Sequence, residues 1–158
     1  MPKMLSPHFS LAEAIHSETA ARKGIDNTPR EVDIFTMRNT AERMEQVRIL
    51  LGVPITVSSW YRSPEVNAAI GSKSTSQHIK GEAVDFIAPS FGDPVTICKK
   101  LIPFIESLRI DQLILEHTWV HISFAISTGK PRGQVLSLIT GNHYANGLTN
   151  RYGVPYES

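Results

Sequence analysis

Apolar residues recur at helical spacing in a long stretch of the first third of the chain. Thr28-Pro29-Arg30-Glu31 predicts where this helix starts, because threonine caps helices and proline is favoured at the first helical position. Residues at three- and four-residue steps then predict one buried face: Ile34, Met37, Ala41, Met44, Val47 and Leu51. Gly52 and Pro54 predict where the helix ends.

Shorter helices are predicted at three other places. Ser10-Leu11-Ala12-Glu13 has the spacing of a capping box and predicts a helix to about residue 16. Ser63-Pro64 predicts a helix that ends at Gly71, and Asp93-Pro94 predicts one that continues to about residue 108. The polar residues 18–27 are interpreted as a loop.

Alternation of apolar and polar residues predicts the strands. The predicted strands cover residues 55–59, 83–87, 112–116, 119–125 and 134–140. Because side chains alternate along a strand, Val84 and Phe86 point to one face and Asp85 to the other. By the same rule, His121 points away from the face that carries Val120.

Strands mixed with helices, without a regular βαβ alternation, predict the fold class. We expect an α+β fold with a small antiparallel sheet flanked by helices. A chain of 158 residues is expected to form a single domain over residues 1–158. Its core is predicted from about residue 9 to 140, and residues 141–158 are interpreted as an irregular tail.

Composition and charge exclude several functional classes. Hydrophobic residues make up 41% and charged residues 20%, which is ordinary for a soluble globular protein. A net charge of +1 gives no sign of a basic stripe, so we expect no nucleic-acid partner. Cys98 is the single cysteine, which excludes an internal disulfide. Without a secretory signal or a long apolar run, the sequence predicts a cytoplasmic protein with no membrane partner.

His78, Asp85 and His121 carry the candidate chemistry. Neutral imidazole and carboxylate groups are both good ligands of zinc. His78 and Asp85 stand seven residues apart, and Gly81 between them allows the chain to fold back. The three side chains match the ligand count of a catalytic zinc, which keeps one further position open. Two imidazoles among three ligands favour one zinc ion over magnesium or calcium.

These residues form a pattern that resembles a known peptidase family. Ser76, His78, Gly81, Ala83 and Asp85, followed by Trp119-Val120-His121-Ile122-Ser123, resemble the zinc D-Ala-D-Ala carboxypeptidases of peptidase family M15. Ser58-Ser59-Trp60-Tyr61-Arg62-Ser63 matches as well, since the family has an arginine in a similar setting before its metal motif. The resemblance covers roughly residues 9 to 140 and is closest to the short, phage-associated branch. It implies the α+β fold of the DD-peptidases and hedgehog-like domains.

The resemblance implies a zinc peptidase that hydrolyses an amide bond in the peptide stem or cross-link of bacterial peptidoglycan. The sequence leaves open whether that bond is D-Ala-D-Ala, L-Ala-D-Glu or part of a cross-bridge. Endopeptidase and D,D-carboxypeptidase activities therefore both remain possible. The phage branch implies a lysis enzyme, or endolysin, that waits in the host cytoplasm and reaches the wall through a membrane pore. We expect it to act as a monomer.

A metallopeptidase also needs a general base and groups that stabilise charge on the substrate. Glu116, five residues before His121, is the predicted base, with His117 as the alternative. Several branches of the family have an acidic residue three positions before the last ligand, where this chain has Thr118. Arg62 is the second predicted catalytic residue, because a guanidinium can hold an oxyanion or a substrate carboxylate.

Ser76 and Trp119 join Arg62 as the predicted substrate-binding residues. Ser76 is interpreted as a hydrogen-bonding residue of the metal loop rather than a nucleophile, since no base pattern accompanies it. The alternative function is a non-catalytic phage structural or wall-binding protein that keeps the fold around a structural zinc. A fourth protein ligand, His117 or His143, would favour that alternative.

Overall fold

A six-stranded sheet lies at the centre of the computed structural model, which describes residues 3–157. Its strands are β3 (Thr56–Ser59), β4 (Ala83–Ile87), β5 (Ile110–Leu115), β6 (Val120–Phe124), β7 (Gln134–Ile139) and β8 (His143–Asn146). Before it, β1 (Met4–Ser6) and β2 (Phe9–Ser10) form a separate antiparallel pair. Helices and a mainly antiparallel sheet together confirm the α+β fold class.

The strand order is β3-β4-β6-β5-β7-β8. All neighbours in this sheet are antiparallel except β5 and β7, which run parallel. The expectation of a purely antiparallel sheet is therefore wrong at one pairing. The physical reason is that β6 already has β4 and β5 on its two flanks. β7 runs in the direction opposite to β6 but pairs with the free edge of β5. Because β5 is itself antiparallel to β6, β7 and β5 run parallel.

Five α-helices accompany the sheet in the described part of the chain. They are α1 (Leu11–Ile15), α2 (Glu18–Lys23), α3 (Glu31–Leu51), α4 (Pro64–Ile70) and α5 (Pro94–Leu101). The predicted capping box opens α1, where Ser10 Oγ accepts from the main-chain N–H of Glu13. Ser63 caps α4 in the predicted way, and Gly71 ends it in a left-handed conformation.

Three helix predictions are wrong in detail. The predicted loop at residues 18–27 contains α2, because Ser17 caps its first turn and Gly24 ends it in a left-handed conformation. α3 is capped at Arg30 rather than Thr28, whose side chain instead bonds to Asp26. α5 ends seven residues before the predicted position, and a 3-10 helix over Ile102–Phe104 follows it. Pro103 explains this end, since proline cannot donate to the carbonyl four residues back.

The apolar core lies on one side of the sheet, where α3 and α5 pack. The buried residues of α3 include the six predicted from spacing: Ile34, Met37, Ala41, Met44, Val47 and Leu51. They belong to one cluster with Val84, Phe86 and Val120 from the sheet. The opposite face of β4 and β6 is therefore the one that carries Asp85 and His121.

The segment after residue 140 is more regular than predicted. β8 pairs with β7 along its whole length, from Leu136 opposite Asn146 to Ile139 opposite His143. The prediction of an irregular tail is therefore wrong for residues 143–146, because Asn and Gly residues around β8 resemble loop composition. Within residues 3–157, no helix combines the length and the apolar character needed to cross a bilayer.

Candidate metal centre

Asp85 and His121 face each other across two neighbouring strands. They are direct partners in the antiparallel register of β4 and β6, so their side chains leave the sheet on the same face. Asp85 Oδ1 lies 2.8 Å from His121 Nδ1. Asp85 is buried, and the His121 side chain retains 14% exposure. The pair thus presents a carboxylate and an imidazole to one point at the edge of a cleft.

His78 reaches the same point from a 3-10 helix that spans Gln77–Lys80. Its Nε2 lies 3.3 Å from Asp85 Oδ2. Its Nδ1 lies 2.6 Å from the carbonyl oxygen of Trp60, so Nδ1 carries the proton and donates it there. Nε2 then carries the free lone pair, on the side of the ring that faces Asp85. A main-chain acceptor of this kind orients metal-binding histidines in many proteins.

Two residues around this turn explain its shape. Ser76 Oγ accepts from the main-chain N–H of His78 at 3.3 Å, which confirms its predicted hydrogen bond within the metal loop. Gly81 ends the turn with a φ of 74°, a left-handed conformation that glycine adopts at little cost. The chain can therefore reverse between His78 and the strand that carries Asp85.

The donor set fits a zinc ion. One ligand atom from each of His78, Asp85 and His121 lies within 4.8 Å of the other two. Burial lowers the pKa of His78, although the negative charge of Asp85 acts to raise it. The ring is therefore neutral at pH 7 and can act as a ligand. Within residues 3–157, neither His117 nor His143 belongs to this group. Three ligands are the number that leaves a position open in catalytic zinc sites.

The carboxylate of Asp85 is held in its charged form. Burial would raise its pKa, but His78 and His121 together hold the pKa well below its ordinary value. Arg62 places its positive charge beside this carboxylate, with its Nη2 3.5 Å from Asp85 Oδ2. The main-chain N–H of Arg62 also donates to the carbonyl oxygen of His78 at 3.0 Å. The predicted catalytic arginine therefore lies directly beside two of the three metal-binding candidates.

Glu116 lies in the turn between β5 and β6. Its main-chain N–H donates to the carbonyl oxygen of Trp119 at 3.1 Å. The side chain is half-buried, and burial raises the pKa of its carboxyl group above the ordinary value. The nearby charge of Asp85 adds to that rise of the Glu116 pKa, whereas His121 opposes it. Glu116 is therefore close enough to two candidate ligands for their charges to act on its carboxyl group. His117, the alternative base, is exposed.

A cavity of about 510 Å³ opens beside the metal-binding group. Arg62, Asp85 and Trp119 are among its lining residues, with Tyr61 and Ser59. Trp119, a predicted substrate-binding residue, therefore lines the same cavity as Arg62. The cavity is large enough to admit a short peptide segment next to Asp85.

Two groups near the centre escaped the sequence reasoning. The acceptor for His78 is the main-chain carbonyl of Trp60. Every residue type has this group, so the sequence does not reveal which carbonyl is used. Tyr144 Oη lies 3.4 Å from Glu116 Oε1, although it belongs to β8 in the segment interpreted as irregular. Recognising the short alternation at residues 143–146 as a strand could have located Tyr144 on the sheet.

A family model for peptidase M15 matches residues 7–123. That range includes His78, Asp85 and His121, together with Arg62 and Glu116. Among curated proteins, none matches the chain. The family supports a metallopeptidase, and the convergence of two imidazoles and a carboxylate is the donor chemistry that such an enzyme requires. Since the match extends over most of the 158 residues, the chain belongs to the peptidase M15 family.

Proposed function

We propose that this chain is a zinc-dependent peptidase that hydrolyses an amide bond in the peptide stem or cross-link of bacterial peptidoglycan. The observation that carries the proposal is the convergence of His78, Asp85 and His121 within 4.8 Å at the edge of an open cavity. Zinc bound by these residues would act as a Lewis acid that activates water and polarises the scissile carbonyl. The family match supports this assignment of the site.

Glu116 is the proposed general base. Its carboxylate would accept a proton from the attacking water and pass it to the leaving amine nitrogen. Its raised pKa suits this exchange, because a base works best when its pKa approaches the operating pH. Glu116 comes directly after β5, two positions beyond Ile114, which lies opposite His121, and the charges of His121 and Asp85 both act on its carboxyl group.

Arg62 is the proposed electrostatic partner of the substrate. Its guanidinium would hold the oxygen that gains negative charge during attack, or a carboxylate of the peptide stem. The contact with Asp85 fixes the guanidinium beside the ligands before substrate arrives. Trp119 and Ser76 are the further proposed substrate-binding residues, and Trp119 lines the same cavity as Arg62.

The three-membered ligand group favours an enzyme over a protein with a structural zinc. Structural sites are closed by four protein ligands, whereas catalytic sites keep one position free. In the part of the chain that the structure describes, the two candidate fourth ligands, His117 and His143, are both exposed and outside the group. A cavity beside the group gives a peptide access to the free position.

The biological setting is the more specific part of the proposal. We assign the chain to the lysis enzymes of phages, acting as a monomer on the wall after release through a membrane pore. This assignment rests on the resemblance of the metal motif to the short phage-associated branch of the family. The scissile bond would be D-Ala-D-Ala, L-Ala-D-Glu or a cross-bridge amide.

The proposal is tested by incubating purified peptidoglycan with the protein, with and without a chelator. We expect loss of turbidity, or release of D-alanine, that the chelator abolishes and added zinc restores. Mass spectrometry of the released fragments then identifies the new termini and hence the bond. If zinc-loaded protein releases no fragment from walls of several compositions, a peptidoglycan peptidase is the wrong assignment.

A further inference from the structure

The sheet face that carries the metal centre continues beyond it onto strands outside the family match. Ile114 of β5 lies opposite His121 of β6 and beside Leu136 of β7. Its neighbours Leu113 and Leu115 belong to the apolar core, but Ile114 does not. The face shared by Ile114 and His121 is therefore the one opposite the core. It extends over β7 and β8, which follow residue 123, where the family match ends.

Alternation along these strands brings Glu116 and Tyr144 together. Leu138 follows Leu136 by two positions on β7 and continues the same face, and Glu116 comes directly after β5, two positions beyond Ile114. Tyr144 is the direct partner of Leu138 in the antiparallel pairing of β7 and β8. Its side chain consequently projects from this face as well, and its hydroxyl oxygen lies 3.4 Å from Glu116 Oε1. The register of the three strands therefore places Tyr144 close to Glu116.

Tyr144 is the group that can orient the carboxylate of Glu116. Among residues 3–157, no other hydrogen-bond donor contacts that carboxylate. The other ionisable groups close enough to act on Glu116 are His121, Asp85 and His117. Two of these are metal-binding candidates, and His117 is exposed in the same turn. The phenol is therefore the group in the described chain that can fix the direction of the Glu116 carboxylate by a hydrogen bond.

We propose that Tyr144 is a positioning residue of the active site, whose hydroxyl donates to Glu116 and keeps that carboxylate directed at the substrate. The inference rests on the proposed function, in which Glu116 is the general base. The Tyr144 side chain is half exposed. β8 therefore supplies a part of the site that lies outside the residues matched by the family.

The matched experiment compares Tyr144→Phe with Tyr152→Phe. Both remove a single hydroxyl from an exposed tyrosine, but Tyr152 is 72% exposed and, within residues 3–157, makes no hydrogen bond to Glu116. The first readout is the ¹³C titration of the Glu116 carboxyl group by NMR, which needs no turnover. Because the hydrogen bond from Tyr144 lowers the Glu116 pKa, we expect Tyr144→Phe to raise it and Tyr152→Phe to leave it unchanged.

The second readout is the pH dependence of kcat/KM for wall hydrolysis. In Tyr144→Phe the acidic limb should move to higher pH, and kcat should fall about threefold to tenfold, as expected for the loss of one exposed hydrogen bond. Zinc content and the melting temperature should stay at wild-type values. An unchanged Glu116 titration and an unchanged pH profile would overturn the role of Tyr144. A shifted titration in a protein that hydrolyses no wall would support the contact and contradict the proposed function instead.

Discussion

A Cβ atom added to Gly81 would lie 2.5 Å from the Cγ atom of Met37. Met37 is fully buried on α3, and Gly81 ends the turn that carries His78. The longest helix therefore packs directly under the turn that carries His78, and this close approach requires a residue without a side chain. Gly81 thus has two reasons to be glycine, its left-handed backbone and its contact with Met37.

Gly81→Ala should destabilise the fold and disturb the position of His78. The left-handed backbone costs an alanine about 1 kcal/mol, and the overlap with Met37 adds about 1–3 kcal/mol of overpacking. The free energy of unfolding, from denaturant titration, measures the total. Gly24→Ala is the matched control, because Gly24 has a φ of 64° but nothing within 4 Å of an added Cβ. Equal losses of unfolding free energy in the two variants would show that the overlap with Met37 does not affect stability.

Glu116→Gln should retain zinc but lose most of its turnover. The amide keeps the size of the side chain but cannot accept a proton from water, so kcat/KM should fall about 10²–10⁴-fold. Metal analysis and hydrolysis rates on the same preparation measure the two effects. Glu42→Gln, at an exposed position of α3, should behave as wild type. Normal turnover in Glu116→Gln would mean that another residue is the general base, and His117 would be the first to test.

The salt bridge between Asp111 and Arg132 should make stability depend on pH. Asp111 is buried and accepts from Arg132 through Nε at 3.0 Å and through Nη2 at 2.8 Å. Burial would raise the pKa of Asp111, but Arg132 lowers it below its ordinary value. A carboxylate with a lowered folded-state pKa stabilises the fold above its unfolded pKa of about 3.9, and this contribution is lost as the pH falls through the folded pKa.

Arg132→Ala should therefore cost about 1–3 kcal/mol of unfolding free energy at neutral pH, since it leaves a buried carboxylate with fewer partners. The difference from wild type should shrink as the pH falls below about 4. Thermal or denaturant unfolding between pH 3 and pH 7 measures it. Lys130→Ala, which removes an exposed cation from the same loop, is the control. A difference that stays constant over this pH range would argue against the ion pair as its cause.

The ligands of the proposed metal centre were predictable from sequence because local rules govern them. Alternation alone places Asp85 and His121 opposite the core face of their strands, and the structure brings both to one point with His78. The six buried positions of α3 follow from helical spacing in the same way. In each case the information lies within a few residues of the position concerned.

The features that sequence reasoning missed depend on distant parts of the chain. β7 runs parallel to β5 because β6 has no free flank, which is a property of the whole sheet. Tyr144 reaches Glu116 through the pairing of β5, β7 and β8, and no local pattern joins two residues 28 positions apart. His78 donates its hydrogen bond to the main-chain carbonyl of Trp60, a group that every residue possesses. α2 was a local error, because Ser17 and Gly24 were present as capping signals.

Zinc content and wall hydrolysis, measured on the same preparations, test most directly whether His78, Asp85 and His121 form a catalytic metal centre. Wild-type protein should hold about one zinc ion per chain, lose both metal and activity to a chelator, and regain both when zinc is added. Asp85→Ala should hold no zinc and clear no wall, whereas Asp26→Ala, at an exposed position, should match wild type. Full hydrolysis by Asp85→Ala, or by wild-type protein stripped of zinc, would contradict a metallopeptidase built on these three residues.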